Sequence, residues 1–413
     1  MKKLLKDFIS FIKKIINNNF TEIIDACLIG VIAFIIFYQN FHYLSKFTLV
    51  GENNIIFGAD THDIAKLIWK DVFRTDMYKH LLFPFTLSPI RKIIKQVLTT
   101  SLIRSIIITF SCISALNVMG VFLLLKKLFL SNRFVLLFTG IYTFLFANLV
   151  LFSIPETYSL SNLFILIYLF ILVYFQRQLN WRTCTILSII SAIAALYNPP
   201  LFSLIIIHLI LSFFNSKFRD WILLAVSNLA IGLIIIFSSY YLLYRMEFVH
   251  FFTAYSEKHA SLANFIDPEK IMTVIINFFF FSILSPVSHL PNQLGLRDLI
   301  AFLQSPIGIL LFLFIFSIIC FGIYFVLTQK SDNQRLLTST LVWILIMVLF
   351  YIYFNPQEAI LYSSQILLPL ILIIANTFKV YKISPRLKYS LMILLFVILA
   401  IYNTLALYSG PII

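Results

Sequence analysis

Long apolar runs separated by short polar turns recur from one end of the chain to the other. A helix needs roughly 20 apolar residues to cross a hydrocarbon core about 30 Å thick. Runs approaching that length lie near residues 22–42, 103–125, 134–152, 158–175, 183–197, 199–214, 221–243, 306–327, 336–354, 363–378 and 389–408. In lipid every backbone polar group must be satisfied within the protein, so such runs become helices. The pattern predicts an all-α fold: a polytopic transmembrane helical bundle of about eleven spans, with residues 1–413 forming a single integral membrane domain.

Between the runs, three segments have patterns of their own. Over residues 1–21, apolar positions 4, 5, 8, 9, 12, 15 and 16 alternate with lysines, the stripe of a cytoplasmic surface helix. No A-x-A-like cleavage site follows the first run, so that run is expected to stay as an anchor. The first long loop, 43–102, carries Ile64, Leu67, Ile68 and Val72 at helical spacing, which predicts an amphipathic surface helix from Thr61 to about Tyr78. A second surface helix follows, with Arg91, Lys92 and Lys95 expected on its polar face. The other long loop, 244–305, includes "IMTVIINFFFFSIL" (271–284), short for a span and expected to be interfacial or re-entrant.

Composition agrees with this reading. The chain is 61% hydrophobic and 12% charged, with a mean hydropathy of +0.97, against about 45–50% apolar residues in a soluble domain. A net charge of +14 would suit nucleic acid, but its placement excludes that partner. Lys and Arg collect in alternate loops: Lys126, Lys127 and Arg133, then Arg177 and Arg182, then Lys217 and Arg219, with Lys330, Arg335 and Lys379 to Lys388 later. Cytoplasmic loops hold such residues, so the amino terminus and these loops are expected inside, and both long loops outside. The four cysteines fall inside apolar runs without metal-ligand spacing and are expected to be buried, with no disulfide or zinc role.

Acids then become informative, because a carboxylate at the rim of an apolar bundle is unfavourable unless paired or wet. Glu156, in "FSIPETYSL", and Glu358, in "YFNPQEAILY", stand in short turns at span ends. Each reads as a site carboxylate or as a solvated or helix-capping one. Asn198, in "LYNPPLF", reads as a ligand or as turn chemistry before two prolines. "FGADTHDIAKL" (57–67) gathers Asp60, His62 and Asp63. These could cap the surface helix that follows, ligate a hard cation or act as a base. "KHLLFPF" adds His80. Basic residues beside a bilayer suit a phosphate or a lipid headgroup, or plain surface anchoring.

An inside amino terminus, one span, a long acid-bearing outer loop with two surface helices and a compact run of further spans resembles the GT-C superfamily of polytopic glycosyltransferases. Three short motifs carry the resemblance: "FGADTHDIAKLI", similar to a D-x-x-x-D first-loop acid motif; "KHLLFPF", similar to an H-P-L-F-like element although leucines follow His80; and "PETYSLSNLF", similar to an E-x-Y segment that includes Tyr158. The resemblance implies a polyprenyl-phosphate sugar donor, a glycan, lipid or protein acceptor, and a place in the bacterial cytoplasmic (inner) membrane with the active site outside. It implies Asp60 as base, with Asp63 the runner-up. The donor phosphate would meet Arg91 and Lys92, or Lys258 and His259 in "YSEKHASLANF". His62, His80, Glu156, Tyr158, Asn198 and Glu358 would line the substrate. A divalent cation (Mg or Mn) is compatible with Asp60, His62 and Asp63, and metal use varies within the superfamily.

Three other readings are open, one of them a non-catalytic membrane scaffold, which would not require polar turns to converge on one face. A transporter or flippase of lipid-linked sugars predicts charged or helix-breaking residues in mid-span and a repeated half-and-half layout, and neither is expected from this sequence. A polymerase of lipid-linked glycans would place its largest outer loop later in the chain, with arginines in it.

Overall fold

The structure, a computed structural model, describes residues 20–48, 82–128, 131–175, 179–214, 216–244, 260–286, 294–329, 333–381 and 384–409. The amino-terminal surface helix, the first-loop residues Asp60, His62, Asp63 and His80, and the pair Lys258 and His259 lie outside them.

Among the described residues the fold is all-α, the nearest approach to a strand being an isolated bridge between Ala260 and Phe354. The first half runs α1 Phe20–Thr48, α2 Phe83–Val97, α3 Leu102–Leu128, α4 Asn132–Phe144, α5 Phe146–Leu151, α6 Tyr158–Phe175, α7 Trp181–Tyr197, α8 Ile205–Phe213 and α9 Phe218–Tyr244. The second runs α10 Pro268–Ile276, α11 Leu296–Leu303, α12 Pro306–Thr328, α13 Gln334–Tyr353, α14 Ala359–Val380 and α15 Pro385–Tyr408. Eight helices are long and apolar enough to cross a bilayer, the make-up of an integral, multi-pass membrane protein. The other three apolar runs give less: 183–197 and 199–214 form shorter helices, and 134–152 is broken in two. Helix α14 is the axis of the bundle, buried almost throughout, and α6, α12 and α13 pack around it.

The break between α4 and α5 comes at Leu145, whose extended backbone (φ −59°, ψ 135°) interrupts the helix without proline or glycine. Tertiary partners take the freed groups. Phe146 N–H donates to the Ile283 carbonyl at 3.2 Å and Ala147 N–H to that of Ser282 at 3.0 Å. The Phe144 carbonyl accepts from Asn403. A broken helix at this depth is tolerated only where such partners exist.

Two of those partners, Ser282 and Ile283, belong to the segment that begins with α10. Asp267 caps α10, accepting from Glu269 N–H and Lys270 N–H at 3.0 and 3.4 Å. The helix then widens into one π-turn at Asn277–Phe281. Asn277 donates to the Leu294 carbonyl at 3.0 Å, and Leu294, Gly295 and Asp298 line the same cavity as Asp267 and Lys270. The segment therefore leaves and returns at one end of the bundle.

The two ends differ in chemistry. At one, Lys126 pairs with Glu22 at 3.9 Å, the Lys127 ammonium lies 5.3 Å from the Tyr174 ring, Arg335 lies over Phe214, and Lys379 donates to the Leu128 carbonyl. The basic turns thus share one end. At the other, Leu82 N–H bonds the Leu196 carbonyl, Asn264 bonds that of Tyr353, and Tyr158 meets Tyr362. Burial of the cysteines is corrected: Cys184 is buried, but Cys27, Cys112 and Cys320 lie on exposed faces of their helices. Hydropathy placed them in spans and could not say which face.

Candidate functional site

The turn joining α5 to α6, "FSIPET" (152–157), folds into the bundle instead of standing clear of it. Ser114 of α3 donates to the Phe152 carbonyl at 2.8 Å, and the Phe152 ring sits 5.8 Å from Phe37. Pro155 lies between Ile154 and Glu156, whose N–H closes a tight turn onto the Ile154 carbonyl at 2.9 Å. Glu156 is consequently only 2% exposed, which rules out a solvated loop acid. Its Oε2 accepts from Thr157 N–H at 2.7 Å and lies 3.3 Å from the Thr157 hydroxyl. The carboxylate therefore rests on the first free N–H of α6, where the helix dipole favours negative charge. Glu156 is thus a buried carboxylate bonded at the head of α6.

An aromatic wall joins this turn to the one bearing Glu358. The rings of Tyr158 and Tyr362 meet edge to face at 6.1 Å, and Tyr362 stacks on Tyr351 at 4.3 Å. Glu358 is half-buried in the short helical turn Pro356–Glu358 and donates its N–H to the Asn355 carbonyl. Asn355 is left-handed (φ 56°), a conformation asparagine tolerates better than most residues.

Below that wall lies a set of polar side chains that sequence reasoning passed over. Ser159, Ser161 and Asn162 of α6 and Ser363, Ser364 and Gln365 of α14 are all fully buried. The two helices start at the same end and touch at Tyr158 and Tyr362, and these polar groups follow within a turn of those tyrosines, spread over more than one face of each helix. Asn117 of α3 donates to the Ser159 carbonyl at 2.7 Å and holds the third side. Among the described residues, the Ser159, Ser161 and Ser364 hydroxyls, the Asn162 and Asn117 side-chain oxygens, and both Gln365 amide atoms have no protein hydrogen-bond partner. Pro369 has no N–H to offer the Gln365 carbonyl one turn back, which adds a further acceptor at this level. Each such unmatched buried group costs about 1–3 kcal/mol, and native interiors keep few of them. They are concentrated near the heads of α6 and α14. The available signal was "SLSN" and "SSQ" at the heads of two apolar runs.

The remaining candidates divide. Asn198 is buried and builds the turn: its N–H meets the Ala194 carbonyl and its own carbonyl takes Leu201 N–H. It stands at the turn end, beside Tyr197, which stacks on Phe164 of α6 at 4.7 Å. Arg91 is corrected. It was expected on the polar face of α2 with Lys92 and Lys95, which are exposed, yet it is only 4% exposed. It lies one turn beyond Leu87, which packs with Phe41, Phe110 and Leu160, while Ile90, Ile93 and Val97 face outward. The inversion is physical: α2 turns its apolar flank outward and keeps its cation toward the heads of α3 and α6. Among the described residues, no three His, Cys, Asp or Glu side chains converge as metal ligands.

No family model matches the chain, and no curated protein matches it.

Proposed function

We propose that this protein is a GT-C type membrane glycosyltransferase. It takes a sugar from a polyprenyl-phosphate donor and places it on a cell-surface glycan, lipid or protein, on the extracytoplasmic side of the bacterial inner membrane. One observation carries the reading: unmatched buried hydroxyl and amide groups, Ser159, Ser161, Asn162, Ser364 and Gln365, behind an aromatic wall and a buried carboxylate. Sugar hydroxyls both donate and accept, which is what serines and amides can meet.

In the reaction the acceptor hydroxyl oxygen bonds to the anomeric carbon. The bond from that carbon to the phosphate oxygen breaks, and its electron pair leaves with the phosphate. The hydroxyl proton passes to a first-loop carboxylate, Asp60 in this reading and otherwise Asp63. Positioning and stabilisation of the leaving phosphate supply the rate. Arg91 and Lys92, or Lys258 and His259, meet that charge in this reading, and Glu156 orients the sugar.

A transporter or flippase gains support from the mid-helix break at Leu145, the feature such proteins use to hold substrates. Here the freed N–H groups of Phe146 and Ala147 are already taken by Ile283 and Ser282, so the break offers no open helix end to a ligand.

The test is glycan and lipid-linked sugar analysis of cells carrying Asp60→Asn, beside wild type, a deletion strain and Asp63→Asn, with membrane levels checked. The reading expects Asp60→Asn to reproduce the deletion's missing sugar at normal protein abundance. A deletion strain with unaltered glycans and lipid-linked sugars would refute it.

A further inference from the structure

A cleft of about 330 Å³ opens between the heads of α10 and α11 and the turn Pro356–Glu358, at the end of the bundle away from the basic turns. Sites for small ligands run from about 300 to 1,000 Å³. The described residues of its lining are mostly polar and divide into two sets. One set holds the walls in place. Asp267 caps α10 and pairs with Lys270 at 3.7 Å, Lys270 donates to Asn264 Oδ1 at 3.0 Å, and Asp298 accepts from Gly295 N–H at 2.8 Å at the head of α11. The other set is uncommitted. Among the described residues, the Glu269 carboxylate, the Arg297 guanidinium, the Thr273 hydroxyl and the Gln357 amide have no side-chain hydrogen bond or ion pair.

The mixture selects for one kind of ligand. An anion would meet three carboxylates, Asp267, Glu269 and Asp298, against two cations, and an apolar ligand would find few apolar walls. A bare metal ion would find no three carboxylates converging on it among the described residues. Neutral hydroxyls fit. They donate to a carboxylate or amide oxygen and accept from a guanidinium or another hydroxyl, and bonds to the charged groups are the stronger ones. Adjacent hydroxyls, one donating and one accepting, are the pattern a sugar ring presents. Gln357 also shares its short turn with Glu358, which places the cleft next to a candidate substrate carboxylate.

We propose that this cleft binds a saccharide chain, the glycan acceptor of the transfer reaction, with Glu269 and Gln357 taking its hydroxyl hydrogens and Arg297 and Thr273 meeting its oxygens. The saccharide chemistry is read from the cleft itself, and the role of acceptor rests on the transferase reading.

The test uses the full-length protein in a neutral detergent. Its probe is the oligosaccharides released by mild acid from the envelope and lipid-linked glycans of the deletion strain, with glycerol at matched hydroxyl concentration as control. Hydrogen–deuterium exchange read by mass spectrometry reports binding without any transfer step. The oligosaccharides should protect residues 264–273 and 294–298 saturably, and glycerol should not. Glu269→Gln and Arg297→Gln, both at exposed positions, should each weaken that binding roughly tenfold. Gly295→Leu keeps every polar group of the cleft and fills its space. Gly295 has an extended backbone (φ −151°) open to any residue, and a Cβ there would meet only Thr273 Oγ1, at 3.9 Å. This variant should lose binding at unchanged melting temperature. No protection in the wild type, an equal effect of glycerol, or wild-type affinity in all three variants would overturn the proposal. Protection by the oligosaccharides in a protein whose deletion leaves all glycans unaltered would retire the transferase reading and keep the saccharide site.

Discussion

The side-chain amide of Asn403 donates to the carbonyl of Phe144 at 2.8 Å, across 259 positions of sequence. The same nitrogen reaches the Ile283 carbonyl at 2.8 Å, and its oxygen accepts from Ser285 N–H at 3.0 Å. One fully buried residue of α15 thus ties the broken α4–α5 helix to the turn at Ile283 and Ser285.

Asn403→Leu should therefore be among the most destabilising single changes in the last helix. Interhelical hydrogen bonds in membranes average about 0.6 kcal/mol and reach about 1.7, and stranding buried backbone groups adds about 1–3 kcal/mol. A loss of about 2–4 kcal/mol is expected, read as lower melting temperature in detergent and lower abundance. Wild-type stability would mean that the break at Leu145 is held by Ser282 and Ile283 alone.

A second pin joins α6, α7, α8 and α9. The Tyr168 hydroxyl lies 2.9 Å from His208 Nδ1, His208 Nε2 lies 3.3 Å from the Ser188 hydroxyl, and Ser188 donates to Asn228 Oδ1 at 2.8 Å. Ser188→Ala and Asn228→Ala should be non-additive, with a coupling of about 0.5–2 kcal/mol in a double-mutant cycle of detergent unfolding. Additivity within error would remove the network from the account of stability.

Gln365→Leu separates function from stability. Neither side-chain amide atom of Gln365 has a protein partner, and replacing an unmatched polar group by an apolar one of similar size is neutral or stabilising. The melting temperature should hold or rise while transfer activity falls, by tenfold or more if two sugar contacts of about 1 kcal/mol each are lost. Retained activity would show that the substrate does not reach this level.

Hydropathy made the spans legible because burial in lipid demands long apolar helices, and eight of the runs became such helices. It could not foresee the break at Leu145, since "TFLFANLVL" has neither proline nor glycine and the cause is Asn403, far along the chain. The turn at Glu156 was visible as a carboxylate between two spans, but its burial depended on Ser114 and Phe37 receiving Phe152. Arg91 was misplaced because periodicity assigns polar residues to the wet face, whereas a helix lying against lipid can reverse that. Ser159, Ser161 and Gln365 escaped because small hydroxyls and single amides inside apolar runs are usually satisfied by their own helix.

Glu156 allows capping and chemistry to be told apart. Glu156→Gln keeps an oxygen that can accept from Thr157 N–H but removes the charge that the head of α6 stabilises. Glu156→Ala removes both. If the residue only caps, Gln should lose about 0.3–1 kcal/mol of stability and Ala about 1–2, with activity following the amount of folded protein. If the carboxylate orients a sugar, Gln should lose activity out of proportion to its small change in melting temperature, because a charged acceptor bonds a hydroxyl more strongly than a neutral amide does. Melting temperature and transfer rate per folded molecule, measured side by side for the two variants, decide it. Matching losses in Gln would return Glu156 to a helix cap.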